Sequence, residues 1–195
     1  RRDDTAALQV GFNTSVELAP RMAQMGGIDP AVILCKMAHE QITRLPQQAE
    51  QNIARLKDAA LPVVRQAIAT PGQGPRAVFQ LSAMLRTPDN SPAENAEVLA
   101  MHTSTAQELA DQLQFNRARI LLQGAHDVPA DAQSTQALVA QTVRVGLLAL
   151  DTENRISPSF FEMAAQTGTR GGAVAFAAAQ YTQQPKNPAK LASLR

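Results

Sequence analysis

The sequence predicts an all-α protein of seven or eight helices. Three observations carry that expectation. Apolar residues recur every three or four positions through most of the chain. Helix start and stop residues punctuate it at regular intervals. A run of five or more alternating apolar and polar residues, the mark of a half-buried strand, is hard to find.

The elements follow in order. Thr14-Ser-Val-Glu17 fits a capping box, and Gly26-Gly27 stops the helix that it starts. Asp29-Pro30 reads as an N-cap followed by proline at the first helical position. Ile28 and Ile33 are placed to staple that start. Leu34, Met37, Ala38, Ile42 and Leu45 then share a stripe up to Pro46. Ala49, Ile53, Leu56, Ala60, Val64 and Ile68 make the next stripe, which Pro62 should kink or split.

PGQGP at 71–75 is a break. A shorter helix follows with Val78, Phe79, Leu81, Met84 and Leu85, and TPDNSP at 87–92 is a second break. Ser91-Pro92-Ala93-Glu94 is another capping box, and Thr105-Ala-Gln-Glu108 restarts a helix after His102. Leu109, Leu113, Asn116 and Ile120 carry that helix on to Gly124. Pro129 opens a long helix with Leu138, Val139, Val143, Leu147 and Leu150. Ser157-Pro158 caps a short one with Phe160, Phe161 and Met163, and a GTRGG turn leads to an Ala-rich helix near 173–182.

DP or SP opens helices at 29, 91 and 157, but the flanking residues do not match, so this is recurrent cap chemistry and not duplication. The expected organisation is one irregular helical domain over 1–183 with a flexible tail over 184–195. If it divides into two lobes, the hinge falls within 71–92.

Composition narrows the function classes. The formal net charge is +1. Residues 1–97 carry ten basic and ten acidic side chains, and residues 98–195 carry eight and seven. No basic stripe offers itself to nucleic acid. No apolar run approaches the ~18 residues of a membrane span. A single cysteine excludes an internal disulfide framework and any zinc site needing two cysteines. The chain opens Arg1-Arg2-Asp3-Asp4, which reads as a processed protein or a piece of a longer one.

Four places bear chemistry-competent residues. Cys35 and His39 are one helical turn apart, with His39 as a base and Lys36 to favour the thiolate. Against that, Cys35 lies within the apolar run AVILCKMA, where a small thiol packs as core. The expectation is therefore core, with His39 at its margin. His126 beside Asp127, after Gly124, has the makings of acid–base equipment in a loop. His39, His102 and His126 show no HxxxH or HxH spacing, so no metal or cofactor is expected.

Thr167-Gly-Thr-Arg-Gly-Gly172 ahead of a helix is able to hold an anion, with Arg170 adding charge, but it lacks the G-K-[ST] ending of a phosphate loop. Glu94 and Glu97 complement a helix dipole more simply than they form a catalytic pair. A short helix buries one face, which leaves one of Phe160 and Phe161 as an exposed anchor for a partner, unless both reach the core from a short helix between layers. The binding surface expected from the sequence is the one around Phe160, Phe161 and Arg170.

Stretches such as RLPQQAEQNIARLKDAA and AAQTGTRGGAVAFAAAQ are rich in Ala, Gln and Arg. Only four of the eighteen basic residues are lysine, and tryptophan is absent. This residue usage resembles that of domains from type III secreted effectors of GC-rich Gram-negative bacteria. The resemblance implies delivery into a host cell and a host protein as partner. The function expected is a helical protein–protein interaction domain of a larger protein. One alternative is a host-directed enzyme without a local motif, such as a ubiquitin-ligase mimic that docks a conjugating enzyme. The bacterial ligases with a Cys-x-Asp motif do not match, because Lys36 and Met37 follow Cys35. The other alternative is a structural or gatekeeper component of a secretion machine.

Overall fold

A computed structural model of the chain describes residues 2–153 and 159–166. Among these residues it contains eight α-helices, one 3-10 turn and no strand, so the protein is all-α. The chain divides into two compact units at Ser91/Pro92.

The first unit holds α1 (Arg2–Gln24), α2 (Ile28–Ile42), a 3-10 turn (Pro46–Gln48), α3 (Ala49–Ala69) and α4 (Gly74–Leu85). Helices α1 and α2 form a hairpin, α3 packs on both, and α4 packs on α2 and α3. The second unit holds α5 (Pro92–Asp111), α6 (Phe115–His126), α7 (Ala132–Glu153) and α8 (Ser159–Ala165). Here α5 packs on α6 and α7, and α8 packs on α7 and α6.

Helix α1 begins twelve residues before the box at Thr14, which lies inside it. The reason is Phe12, which is fully buried with the Arg55 guanidinium 5.3 Å above its ring. Burying a phenylalanine is worth ~2–3 kcal/mol, against about 1 kcal/mol for a cap. Arg55 is held there by donating to Asn13 Oδ1 at 2.8 Å, and Gln9 donates to the same oxygen at 3.1 Å. Thr105 is likewise interior to α5 and buried, so no helix restarts there.

The end of α1 matches the sequence. Gly27 N–H donates to the Met22 carbonyl at 2.9 Å and Gly26 N–H to that of Ala23 at 3.0 Å, with Gly26 at φ +85°. Helix α2 then starts two residues earlier than expected, at Ile28, so Asp29 is inside its first turn and is not the cap. Asp29 instead meets Arg76 of α4 at 3.0 Å, in a pair whose side chains are 50% and 61% exposed. Ile33 is 56% exposed and makes no staple with the buried Ile28.

Pro62 does not split α3, which runs unbroken from Ala49 to Ala69. Asp58, whose carbonyl Pro62 deprives of a donor, is exposed and Pro62 is only partly buried, so the missing bond falls away from the core. The break at 71–75 is a tight turn inside the first unit. Gln73 N–H donates to the Thr70 carbonyl at 3.1 Å across Pro71 and Gly72, and Gly72 has φ +77°. Before the unit boundary, Asn90 Nδ2 donates to the Leu85 carbonyl and Thr87 Oγ1 to Asn90 Oδ1.

The single helix expected from Thr105 to Gly124 is two. Helix α5 closes with the same bond pattern as α1: Gln114 N–H to Leu109 at 2.7 Å and Leu113 N–H to Ala110 at 2.9 Å. Here the left-handed residue is Leu113, at φ +61° and 59% exposed. Gly124 is no terminator; it is buried inside α6. Helix α7 begins at Ala132 and not at Pro129, because Asp131 Oδ1 accepts the Ser134 N–H at 2.7 Å. That bond holds the Asp131 carboxyl below its ordinary pKa.

Against α7, α8 sets both Phe160 and Phe161 into the core, each 1% exposed. Gly146 makes the room: a Cβ there would lie 2.9 Å from Phe160 Cβ and 3.2 Å from Phe161 Cζ. Val139, Val143, Leu147 and Ala164 complete the cluster around Phe161. The expected helix over 173–182, the tail over 184–195 and the Ser157-Pro158 cap lie outside the described residues.

Two stability changes follow. Leu113→Gly relieves a left-handed leucine and removes little buried surface, so it should stabilise by about 1 kcal/mol in urea unfolding. Gly146→Ala gains helix propensity but drives a methyl into Phe160, whose Cβ is tied to its backbone. It should destabilise the second unit by ~1–2 kcal/mol net.

Candidate functional site

Cys35 is fully buried in α2, and burial pushes its thiol up to about 12. At neutral pH such a thiol carries almost no thiolate, the species that reacts. His39 is exposed on the same helix. The pair is thus split between core and solvent, and the geometry does not equip it as a nucleophile with its base.

His126 is the last residue of α6, not a loop residue, and it is half-buried. Its Nε2 lies 3.1 Å from Thr142 Oγ1 on α7. The Thr142 hydroxyl donates to the Leu138 carbonyl at 2.8 Å, so Nε2 carries the proton and Thr142 accepts it. Burial lowers the His126 pKa, and the nearby Asp127 charge offsets part of that shift. Asp127 itself is exposed as the C-cap of α6. The hydrogen bond ties α6 to α7, which is a structural use of the ring.

His102 is wholly buried in α5, and its Nδ1 donates to the Val98 carbonyl at 2.7 Å. Among the described residues no three His, Cys, Asp or Glu side chains gather to hold a metal ion. No described helix is long and apolar enough to cross a membrane. Phe160 and Phe161 are both core residues, which corrects the expectation of one exposed anchor. A seven-residue helix buries both because α7 receives one ring and the notch at Gly146 receives the other's base. Arg170 and its turn at 167–172 lie outside the described residues.

The exposed apolar surface is elsewhere, on the α1/α2 hairpin. Leu18 is 40% exposed, Met25 83%, Ile33 56% and Met37 47%. Gly11 lies against Gln41: a Cβ there would be 2.9 Å from Gln41 Nε2. That contact fixes the antiparallel register, in which residue numbers at one level sum to about 52. Gly11, Ser15, Leu18 and Met22 are spaced as one stripe of α1 beside the seam, with Met25 just past the end of the helix. Gln41, Met37, Leu34 and Pro30 are the matching stripe of α2, with Ile33 next to it. The outer parts of both stripes carry these exposed apolar side chains, with Glu17, Arg21 and Glu40 exposed among them. The sequence offered a signal for it: Leu18 and Val10 fall off any single buried stripe. The reading of Met37, Ile53, Ile68, Leu113 and Ile120 as stripe residues, and of Ile33 as a staple, hid it, since all six are 41–59% exposed.

The second unit has a groove between α5 and α7. One hollow of about 420 Å³ is lined by Leu99, Ala100, Thr103, Gln107, Ala137, Leu138 and Gln141 among others. A second, of about 340 Å³, adjoins it through Ala96, Leu99 and Ser134. Gln141 Nε2 donates to Gln107 Oε1 at 2.6 Å and closes one end. Thr103 and Ser104 spend their hydroxyls on carbonyls of their own helix, which leaves the walls largely apolar.

Because the fold favours neutral His126, its contribution to stability is intact above the ordinary value of 6.5. It declines as pH falls below 6.5 toward the lower folded-state pKa. Urea midpoints measured on either side of pH 6.5 should show that decline, and His126→Gln, which keeps a donor for Thr142, should flatten it. An unchanged slope in the variant would show that other groups cause it.

No protein-family model, curated protein or solved structure matches this chain.

Proposed function

We propose that this chain is a helical protein–protein interaction domain and that it works through the α1/α2 face. The observation that carries this reading is the set of four large apolar side chains, Leu18, Met25, Ile33 and Met37, held 40–83% exposed on one hairpin. Contiguous exposed apolar surface on a folded domain marks a place that something else covers. Methionine suits such a role, since its flexible thioether fills irregular gaps in a partner. The groove between α5 and α7 is narrower and is shaped by small side chains, so it ranks second. The Ala/Gln/Arg-rich, lysine-poor composition supports a secreted bacterial protein whose partner is in a host cell.

The test is Ile33→Ser with Met37→Ser in the 195-residue chain. Both side chains are about half exposed, so the melting curve should shift by less than ~1 kcal/mol equivalent. Partner binding, measured by titration calorimetry against whatever the wild-type chain retains, should weaken at least about tenfold. Unaltered affinity in a folded variant would rule this face out as the binding surface.

A further inference from the structure

We infer that the groove between α5 and α7 binds an extended peptide: a short apolar segment of a partner protein, with basic residues at its ends, whose main chain pairs with Asn95. The inference concerns the second unit alone and does not rest on the α1/α2 face. Three observations carry it: an unpartnered amide in the wall, the spacing of the polar groups, and the charge at the ends.

Asn95 forms part of the wall of the smaller hollow, beside Pro92 and Leu99 on α5. It is 8% exposed. Among the described residues its side chain makes no hydrogen bond. Thr103, Ser104, Gln107 and Gln141 differ, since each already spends its side chain on a bond within the protein. An open hollow leaves the Asn95 amide to solvent. A ligand that covers it shuts solvent out and must itself supply a partner. An asparagine amide has a carbonyl to accept and an NH2 to donate. A peptide unit offers the matching N–H and C=O. A helical ligand has spent those groups within itself, and an alkyl chain has none. An extended main chain is the apolar ligand that satisfies Asn95.

The far end of the groove is also built of amides. Gln141 donates to Gln107, and Gln107 Nε2 donates to Asp111 Oδ1 at 2.7 Å. Both amide nitrogens are thereby engaged, and Gln141 Oε1 is left to accept an N–H from the ligand. Asn95 and Gln107 are twelve residues apart on α5, about 18 Å at 1.5 Å per residue. An extended chain covers that span in about five or six residues at ~3.3 Å each. Between the ends, Ala96 and Leu99 border both hollows. Alternate side chains of an extended ligand share one face, so successive ones on that face enter the two hollows in turn.

Acids flank the groove. Asp131 stands exposed at the Asn95 end, and Glu108 and Asp111 stand exposed beside and beyond Gln107. Against them is the exposed Arg144 on α7. The acidic excess selects a ligand with basic ends.

The probe is a fluorescein-labelled peptide, Lys-Leu-Ser-Leu-Ser-Leu-Lys, titrated with the 195-residue chain and followed by anisotropy. Saturable binding is expected, with Kd on the order of 10 μM. Ala137→Trp fills the groove from an exposed position and should abolish binding with circular dichroism unchanged. Asn95→Leu keeps the volume and removes the amide. It should weaken binding about tenfold without lowering the urea midpoint. Methylating the backbone nitrogens of the peptide should cost the wild type about tenfold as well, and cost Asn95→Leu little, because the same pairing is lost only once. Glutamate in place of both lysines should weaken binding about tenfold at low salt.

Absence of saturable binding overturns the inference. So does binding that survives Ala137→Trp, an Asn95→Leu variant of unaltered affinity, or losses from Asn95→Leu and methylation that add in full. Decanoate that displaces the peptide, and that binds Asn95→Leu more tightly than wild type, overturns it in favour of an acyl chain. Ile33→Ser with Met37→Ser should leave peptide binding untouched, so failure of either reading leaves the other standing.

Discussion

Alanine at the helix crossings is the constraint on which the rest of this structure depends. Ala19, Ala31 and Ala38 in the first hairpin, Ala60 and Ala67 on α3, and Ala106, Ala110, Ala118 and Ala125 in the second unit are at or near zero exposure. Small side chains let helix axes approach closely, and a close approach buries a narrow stripe of each helix. Larger aliphatic residues then have two destinations. Some fill the centre of a unit, as Leu56, Val63 and Leu81 do in the first. Others are left on the flanks, as Ile33, Met37, Ile53 and Ile68 are. The apolar face of the α1/α2 hairpin is thus a product of how the core is built. A core with larger side chains at the crossings would have spread the helices and covered more of these residues.

Polar groups inside each unit lock this packing in register. In the first unit, Arg55 reaches across from α3 to stack on Phe12 and bind Asn13. In the second, His126 and Thr142 join α6 to α7 through a donor and an acceptor whose roles are forced by the Leu138 carbonyl. Such bonds contribute modestly to net stability. Their geometric demand is what matters, since a one-residue slip of either helix would leave a half-buried donor without its acceptor.

Much of the fold was legible in the sequence. Stripe periodicity located nearly every described helix, and turn chemistry located the breaks at Gly26-Gly27, 71–75 and 87–92. Boundaries failed where local and tertiary signals compete. Thr14 and Thr105 look like caps, but Phe12 and the buried face of α5 hold those helices together past them. The corner at Leu113 was illegible because leucine is a poor residue for the left-handed conformation it adopts. The site was less legible than the fold. Periodicity says that a stripe is apolar, not whether another helix covers it. That is why one of Phe160 and Phe161 was expected at the surface and Met37 within a packed stripe, when both phenylalanines are buried and Met37 is about half exposed. Gly146, the notch that buries the phenylalanines, reads in sequence as an ordinary weak point in a helix.

Cys35 is the only thiol in the chain, and it sits at zero exposure within the first unit. That makes it a built-in clock. A thiol reagent in solution reaches it only when α2 parts from its neighbours, so the labelling rate counts those openings one by one. Nothing in the second unit contributes to the signal, because no sulfhydryl is there. The breathing of one half of the protein is therefore readable on its own, in the native chain, without any engineered probe.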